Sequence, residues 1–350
     1  MEIKHSEIVN CSACGSSKME KILEMPKLSH VGVFCENKED EKNFPPVDNE
    51  LHICNECGHG QLLKALDPNF LYNTGFQHCT SCSMSAKQAN DWLYEFITED
   101  KNLKFDVIAE IGINDSYFLK KFAEKSKKVI GVDPILRGRE ETLLKDVPDN
   151  LKDKFIVIGD FIENVNFLDH LDQKPDLYMS NFVFEHIKEP VNVVRGILDD
   201  AKDDALIVIG VPGSEFLYNN SRFDQLSHQH YQQFTKHSLR IMVERAGGEV
   251  VRMGTNFPNW GQLAIAFKKK KKGLSFDTKM IFSKNEIQHS FVMFENHMDA
   301  LKKRLREKGA KYYDEPYLRF KGTKYEQETF FVKDPNENIL EIKTLTANAE

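Results

Sequence analysis

No apolar run in this 350-residue chain approaches the ~20 residues of a bilayer-spanning helix, which excludes a helical membrane protein. The opening residues, MEIKHSEIVNCSACG, lack an apolar core of signal-peptide length, so a cytoplasmic protein is expected. Positive charge is not in excess. Lys and Arg number 47 against 54 Asp and Glu, giving a net charge of −7 and a pI near 6.0, whereas a nucleic-acid or anionic-membrane binder needs a basic face. Seven cysteines in a reducing compartment make a poor disulfide framework, and their spacing points to metal. With 41% hydrophobic and 29% charged residues, the chain reads as globular and long enough for two or three domains.

Residues 105–134, FDVIAEIGINDSYFLKKFAEKSKKVIGVDP, organise the rest. The apolar run 107–111 ends in Gly112 and a polar turn, an amphipathic segment carries Phe118, Leu119 and Phe122, and a second apolar run, 129–132, ends in Asp133. The pattern predicts strand, turn, helix, strand, with the turn and Asp133 on the ligand edge of a parallel sheet. Gly112 allows close backbone approach, and Asp133 is placed to accept hydrogen bonds from a ribose diol. The turn lacks the second and third glycines of a dinucleotide fingerprint, having Asn114 and Ser116 (or Tyr117) instead, so a pyrophosphate loses its cradle.

The wording EIGINDSYFL resembles the E-I-G-x-N-D-G motif of sugar C-methyltransferases within the class I methyltransferases, with Ser116 in place of the last glycine. The resemblance implies S-adenosylmethionine as cofactor and makes Glu110, Gly112, Asn114, Asp115 and Asp133 its candidate contacts.

Cys11-Ser-Ala-Cys14 and Cys54-Asn-Glu-Cys57 are two CxxC knuckles that together complete a closed zinc site of four thiolates. With no open ligand position, the zinc is expected to be structural. The insert between the knuckles, with Pro26, Pro45, Pro46 and the charged run 36–42, is expected to be an exposed loop. A third pair, Cys79-Thr-Ser-Cys82, could bind a second metal, exchange with one of the knuckles or have no role, and the last is the expectation; Cys35 has no partner. Sugar C-methyltransferases carry such an N-terminal zinc domain, and CNECGHGQLLKALDPNFLYNTGF resembles its exit. Residues 90–98 then read as the helix leading into the sheet.

Beyond Asp133, strand and helix patterns alternate as in an α/β, doubly wound sheet. Residues 155–158 form a strand ending at Asp160, which can accept the adenine amino group. Residues 176–182 form another that contains the candidate Asn181, and 205–211 a third. A helix over 238–246 stops at Gly247-Gly248, and 249–253 with 262–267 make a closing antiparallel pair. The resemblance implies the seven-stranded class I methyltransferase order.

Methyl transfer needs an acceptor held close to the sulfonium carbon and a route for any proton it loses. Candidate groups are His186 in NFVFEHIKEP, and His228, His230 and Tyr231 in FDQLSHQHYQQFTKHSL. The second stretch resembles the family's H-E-H-x-x-Y-F-S, in which a Glu-His pair serves in proton abstraction. Gln229 replaces the glutamate, so proton transfer falls to His230 or His228, and O-methylation stands beside C-methylation. Trp260 and Gly261 stand where the family has a Gly-Gly-Ser run.

The lysine run 268–272 reads as a solvated linker. Residues 288–294 are expected as a strand, 298–308 as a helix, and 328–332 with 339–344 as a hairpin. This βαβββ order and KDPNENILEIK resemble half of a vicinal oxygen chelate module, the fold of glyoxalases and extradiol dioxygenases, which implies His289 and Glu341 as metal-ligand positions. The expected divisions are 1–75 zinc-binding, 76–268 methyltransferase, 269–284 linker and 285–350 glyoxalase-like. The expected acceptor is a small polar molecule, a nucleotide-linked or polysaccharide sugar, with a homodimer formed through the last module. The alternative is a metal-dependent lyase or dioxygenase acting through that module.

Overall fold

The computed structural model describes residues 4–28, 30, 45–72, 79–100 and 102–270, isolated helical positions at Val292, Asn296, Ala300, Lys303, Arg304 and Glu307, and three strands beyond 311. Cys35, the charged run 36–42 and His289 lie outside the described residues.

In the N-terminal part, β1 (His5–Glu7) pairs with β5 (Lys64–Leu66), while β2 (Met19–Leu28), β3 (Val47–Cys54) and β4 (Gly60–Gln61) form an antiparallel sheet. The insert between the knuckles is therefore not simply an exposed loop. Its described ends are a hairpin whose Leu23, Met25, Leu51 and Ile53 are buried with Tyr218 and Phe223. Irregular pairing at Lys21/Leu23 and Met25/Leu28 breaks the two-residue alternation that would have revealed β2. Helix α1 (Pro68–Leu71) follows, capped by Asp67, which accepts a hydrogen bond from the Asn69 N–H at 2.9 Å.

The central layer starts with α2 (Met84–Thr98), β6 (Val107–Ile111), α3 (Tyr117–Ala123), β7 (Lys128–Val132), α4 (Glu140–Lys145), α5 (Asp149–Lys152), β8 (Phe155–Ile158) and β9 (Leu177–Asn181). It continues with α6 (Pro190–Asp200), β10 (Leu206–Val211), α7 (Ser214–Asn219), β11 (Gln232–Gln233), α8 (Lys236–Ala246), β12 (Gly248–Asn256) and β13 (Gln262–Lys269). Seven strands make one sheet in the order β12-β13-β10-β9-β6-β7-β8, in which β13 runs antiparallel to both neighbours. Strands β6 and β10 are buried along their whole length, which is why they read as unbroken apolar runs instead of alternating. One face packs under α2 and α3 through Leu93, Ile97, Phe118 and Leu119. The other packs under α6 and α8 through Val194, Ile197, Leu239 and Met242, and Cys11, Cys54 and Cys57 join that same cluster. The strand order turns back between β6 and β9, the switch point where such sheets leave a crevice at their carboxyl ends.

Helix α8 is fixed at its start by Thr235 and Ser238, each accepting from the other's backbone N–H at 3.0 Å. It stops at Gly247, whose φ of +102° suits only glycine comfortably. Strand β11 leaves the core and pairs with β4, so the N-terminal sheet has a fourth strand supplied from far along the chain. Lys268 and Lys269 continue β13 opposite Glu249 and Gly248, so the lysine run begins inside the sheet, not in a linker.

Further on, β14 (Tyr312–Arg319), β15 (Gln327–Lys333) and β16 (Ile339–Leu345) form an antiparallel sheet in that order. The β15–β16 hairpin agrees with expectation, but Val292 is helical where 288–294 was expected as a strand. Glu341 sits on β16 opposite Phe331. Among the described residues no helix is long and apolar enough to cross a membrane.

Candidate active site and cysteine cluster

The turn after β6 is built around a tight crossing. Gly112 has φ +81°, and a Cβ there would collide with Cγ2 of Val183. Its N–H donates to the Val132 carbonyl at 2.8 Å. The two residues in place of the missing glycines also lie in the left-handed region, Asn114 at φ +48° and Ser116 at +62°. Asparagine tolerates that region, whereas serine gives up about 1–2 kcal/mol to occupy it. The turn thus keeps a left-handed path without its glycines, and the Ser116 hydroxyl donates to the Asp115 carbonyl at 2.6 Å.

Six of the seven candidate cofactor contacts, Glu110, Gly112, Asn114, Asp133, Asp160 and Asn181, line one cavity at the carboxyl edge of the sheet. Asp133 Oδ2 accepts from the Asn114 N–H at 2.9 Å and Oδ1 from the Ile135 N–H at 3.1 Å. Burial pushes its carboxyl up to about 6 despite those two bonds. Glu110 is 3% exposed, its Oε2 has no hydrogen-bond partner, and burial together with Asp133 and Asp115 holds its carboxyl well above the ordinary range. Asp160 accepts from Asn164, the Phe161 N–H and Arg137, which keep it below the usual carboxylate range.

The seventh, Asp115, does not line the cavity. Its Oδ2 accepts from the Ser81 N–H at 2.6 Å, and its Oδ1 from the Tyr117 N–H at 3.1 Å. The Ser81 segment is the third CxxC. Cys79 and Cys82 form a disulfide, and the Thr80 N–H donates to Asn114 Oδ1 at 2.9 Å. The pair expected to have no role thus brackets the two residues, Thr80 and Ser81, whose N–H groups donate to the turn after β6.

Sequence reasoning missed Tyr72, Thr80 and Asn90, which also line the cavity. Asn181 Nδ2 donates to Asn90 Oδ1 at 3.1 Å, and Gln262 Nε2 donates to Asn181 Oδ1 at 2.8 Å, so an amide chain ties α2 to β9 and β13. A polar residue inside the buried stripe of α2 was the available signal for Asn90.

Of the four candidate catalytic residues, only His186 lines the cavity. Its Nδ1–H donates to the Gln229 carbonyl at 2.8 Å, Tyr72 meets its ring edge-on at 5.6 Å, and the His230 ring lies 4.9 Å away. Glu185, 2% exposed, places Oε1 3.9 Å from His186 Nε2. Burial pushes His230 down to about 3 and Glu185 up to about 8. His228 and Tyr231 face the N-terminal sheet. His228 donates to the Val47 carbonyl at 2.9 Å, and the buried Tyr231 hydroxyl donates to the Leu66 carbonyl at 2.7 Å. Neither lines the cavity; the Tyr231 hydroxyl and His228 Nε2 are taken up by backbone carbonyls, while His228 Nδ1 is buried without a hydrogen-bond partner.

The four knuckle cysteines converge. Cys11 and Cys57 Sγ lie 3.6 Å apart, Cys14 and Cys54 3.5 Å, and all four are mutually within 4.8 Å. A zinc tetrahedron with Zn–S bonds of ~2.3 Å has edges of roughly 3.8 Å, so the cluster fits a zinc-class ion. Next to this cluster, the buried His59 bridges Gln232 Oε1 at 2.8 Å and Ser238 Oγ at 3.2 Å.

Residues 108–253 match a family model described as a methyltransferase domain. The chain is 22% identical over 262 residues to a C-methyltransferase, NovU, of Streptomyces niveus, covering 74% of this chain and 60% of that protein. It therefore spans less than two thirds of that relative. Among solved structures, N-methyltransferase NodS of Bradyrhizobium japonicum with S-adenosyl-l-homocysteine is 13% identical, with 54% of this chain and 89% of that one covered at a TM-score of 0.41. A structure described as a putative O-methyltransferase of Nostoc punctiforme is 15% identical, with 56% and 59% covered at a TM-score of 0.43.

Proposed function

We propose that the chain is an S-adenosylmethionine-dependent methyltransferase acting on a small polar acceptor, a nucleotide-linked or polysaccharide sugar, with a structural zinc held by Cys11, Cys14, Cys54 and Cys57. The observation that carries this reading is the cavity at the switch point of the sheet, where Glu110 and Asp133 flank the Gly112 turn inside the matched methyltransferase stretch. S-adenosylmethionine is a cation with a ribose diol and no phosphates, so it suits acidic residues rather than a glycine cradle. Asp133 would accept from the ribose, Asp160 from the adenine amino group, and the unpartnered Glu110 Oε2 would face positive charge or a donor. The bound cofactor supplies a methyl carbon open to in-line displacement.

The acceptor would sit on the His186 side of the cavity, where Glu185, His186 and His230 are the groups available to manage its proton. The sugar assignment draws on the sequence resemblance and on the relationship to a C-methyltransferase. Gln229, an amide that cannot take a proton, keeps O-methylation beside C-methylation. The comparisons give no support to the lyase or dioxygenase reading.

Calorimetry of the folded chain with S-adenosylmethionine should give one saturable binding event. Incubation with labelled cofactor and a panel of nucleotide sugars should then add one methylene unit to a single species. Absence of any binding heat would remove the proposal.

A further inference from the structure

Three acceptor atoms converge beside the cofactor cavity: a Glu185 carboxylate oxygen, His186 Nε2 and a ring nitrogen of His230, all within 4.8 Å of one another. His186 gives its Nδ1–H to the Gln229 carbonyl, which leaves its lone pair on Nε2, 3.9 Å from Glu185 Oε1. His230 is likewise paired through its ring with the backbone of Gln225. A histidine that donates one N–H to a carbonyl and turns the other nitrogen inward has the outer-shell arrangement of a metal ligand. The second, independent observation is Glu185 itself, which is 2% exposed with an Oε2 that no hydrogen bond satisfies. A buried carboxylate oxygen without a donor is stabilised by a proton or by a cation held among these three atoms, and the two half-buried imidazoles offer nitrogen ligands to the latter.

We propose that Glu185, His186 and His230 form a site for a first-row divalent cation, with open positions turned toward the acceptor. Two imidazoles and a carboxylate suit the zinc, iron(II), manganese and cobalt group more than magnesium or calcium. Three atoms within 4.8 Å of one another have a common point no more than about 2.8 Å from each, so closing by roughly 0.6 Å per ligand reaches bonding distances of ~2.0–2.2 Å. The inference rests on the methyltransferase reading and deepens it. Two neighbouring acceptor oxygens, as a sugar offers, would complete the coordination, and the cation would ease loss of the acceptor's proton where Gln229 cannot act as a base.

The test uses the full chain with its cysteine site loaded with zinc. Manganese is the probe, because thiolates compete for it poorly, and its binding is read by electron paramagnetic resonance alongside calorimetry with S-adenosylmethionine on the same samples. One manganese per chain is expected, with affinity reduced at least tenfold in His230→Ala and in Glu185→Gln while cofactor binding persists. No bound manganese in the wild type, or equal binding in folded variants, overturns the cation site and leaves the methyltransferase reading standing if the cofactor still binds. If either variant fails to fold, cobalt added to the wild type decides: a weak visible spectrum of nitrogen and oxygen ligation beyond the thiolate bands supports the site, and its absence overturns it.

Discussion

The backbone N–H of Asn114 donates to Asp133 Oδ2 at 2.9 Å, tying the turn after β6 to the end of β7 across the floor of the cavity. The same carboxylate is the proposed ribose acceptor, so its charge state governs both the turn and the ligand.

Asp133 titrates near 6 in the folded chain, above its ordinary 3.8, because it is buried. Ribose hydroxyls donate best to the ionised form, so S-adenosylmethionine affinity should fall by up to about tenfold per pH unit below 6. Calorimetry from pH 5 to 8 checks this, and Asp133→Asn should bind more weakly and with a flatter profile. The sign for stability is opposite. A raised folded pKa contributes stability that is present below 3.8 and lost as pH rises through 6, so the stability of Asp133→Asn relative to wild type should improve across that window.

Ser116 holds φ +62° without a glycine's freedom. Ser116→Gly should therefore stabilise the chain by about 1 kcal/mol, a rise of ~2–4 °C in Tm for a domain of this size. Gly112→Ala should do the reverse, since its Cβ meets Val183 at a left-handed φ. A loss of about 2–4 kcal/mol is expected, with weakened cofactor binding. Thermal melts with and without S-adenosylmethionine report both.

The sheet was legible because its buried parallel strands are apolar runs of limited length closed by Asp133, Asp160 and Asn181, and because amphipathic helices separate them. The cluster of four cysteines was legible because CxxC spacing is a local property. What could not be read depended on distant partners. Strand β2 hides its pattern behind irregular pairing, and β11 becomes a strand only by meeting β4. His228 and Tyr231 looked chemical because they flank His230, yet His228 Nε2 and the Tyr231 hydroxyl meet the carbonyls of Val47 and Leu66, partners far away in the sequence. Asn90 and Tyr72 enter the cavity only once the helix and the zinc-side segment are folded against the sheet.

Removing metal from the cysteine cluster should reach beyond it. Cys11, Cys54 and Cys57 share a core with α6 and α8, and His59 joins the cluster to Gln232 and Ser238. Cys54→Ser, or prolonged chelation, should abolish bound zinc by elemental analysis and lower Tm by several degrees, because metal binding is coupled to folding. An unchanged melt after proven zinc loss would show that the cluster is not structural.

Tyr231→Phe separates holding the loop from doing the chemistry. The change deletes a buried donor to the Leu66 carbonyl and leaves that acceptor unsatisfied, at a cost of about 1–3 kcal/mol. The ring stays in its cluster with Leu62, Leu66 and Leu71, so the fold survives. If the hydroxyl only anchors the loop, kcat on the identified acceptor should stay within about threefold of wild type at a temperature well below the lowered Tm. His186→Ala, on the cavity wall, should instead lower kcat by about a hundredfold or more while changing Tm little. The opposite pattern, a large kcat loss in Tyr231→Phe without loss of stability, would return the tyrosine to the catalytic set.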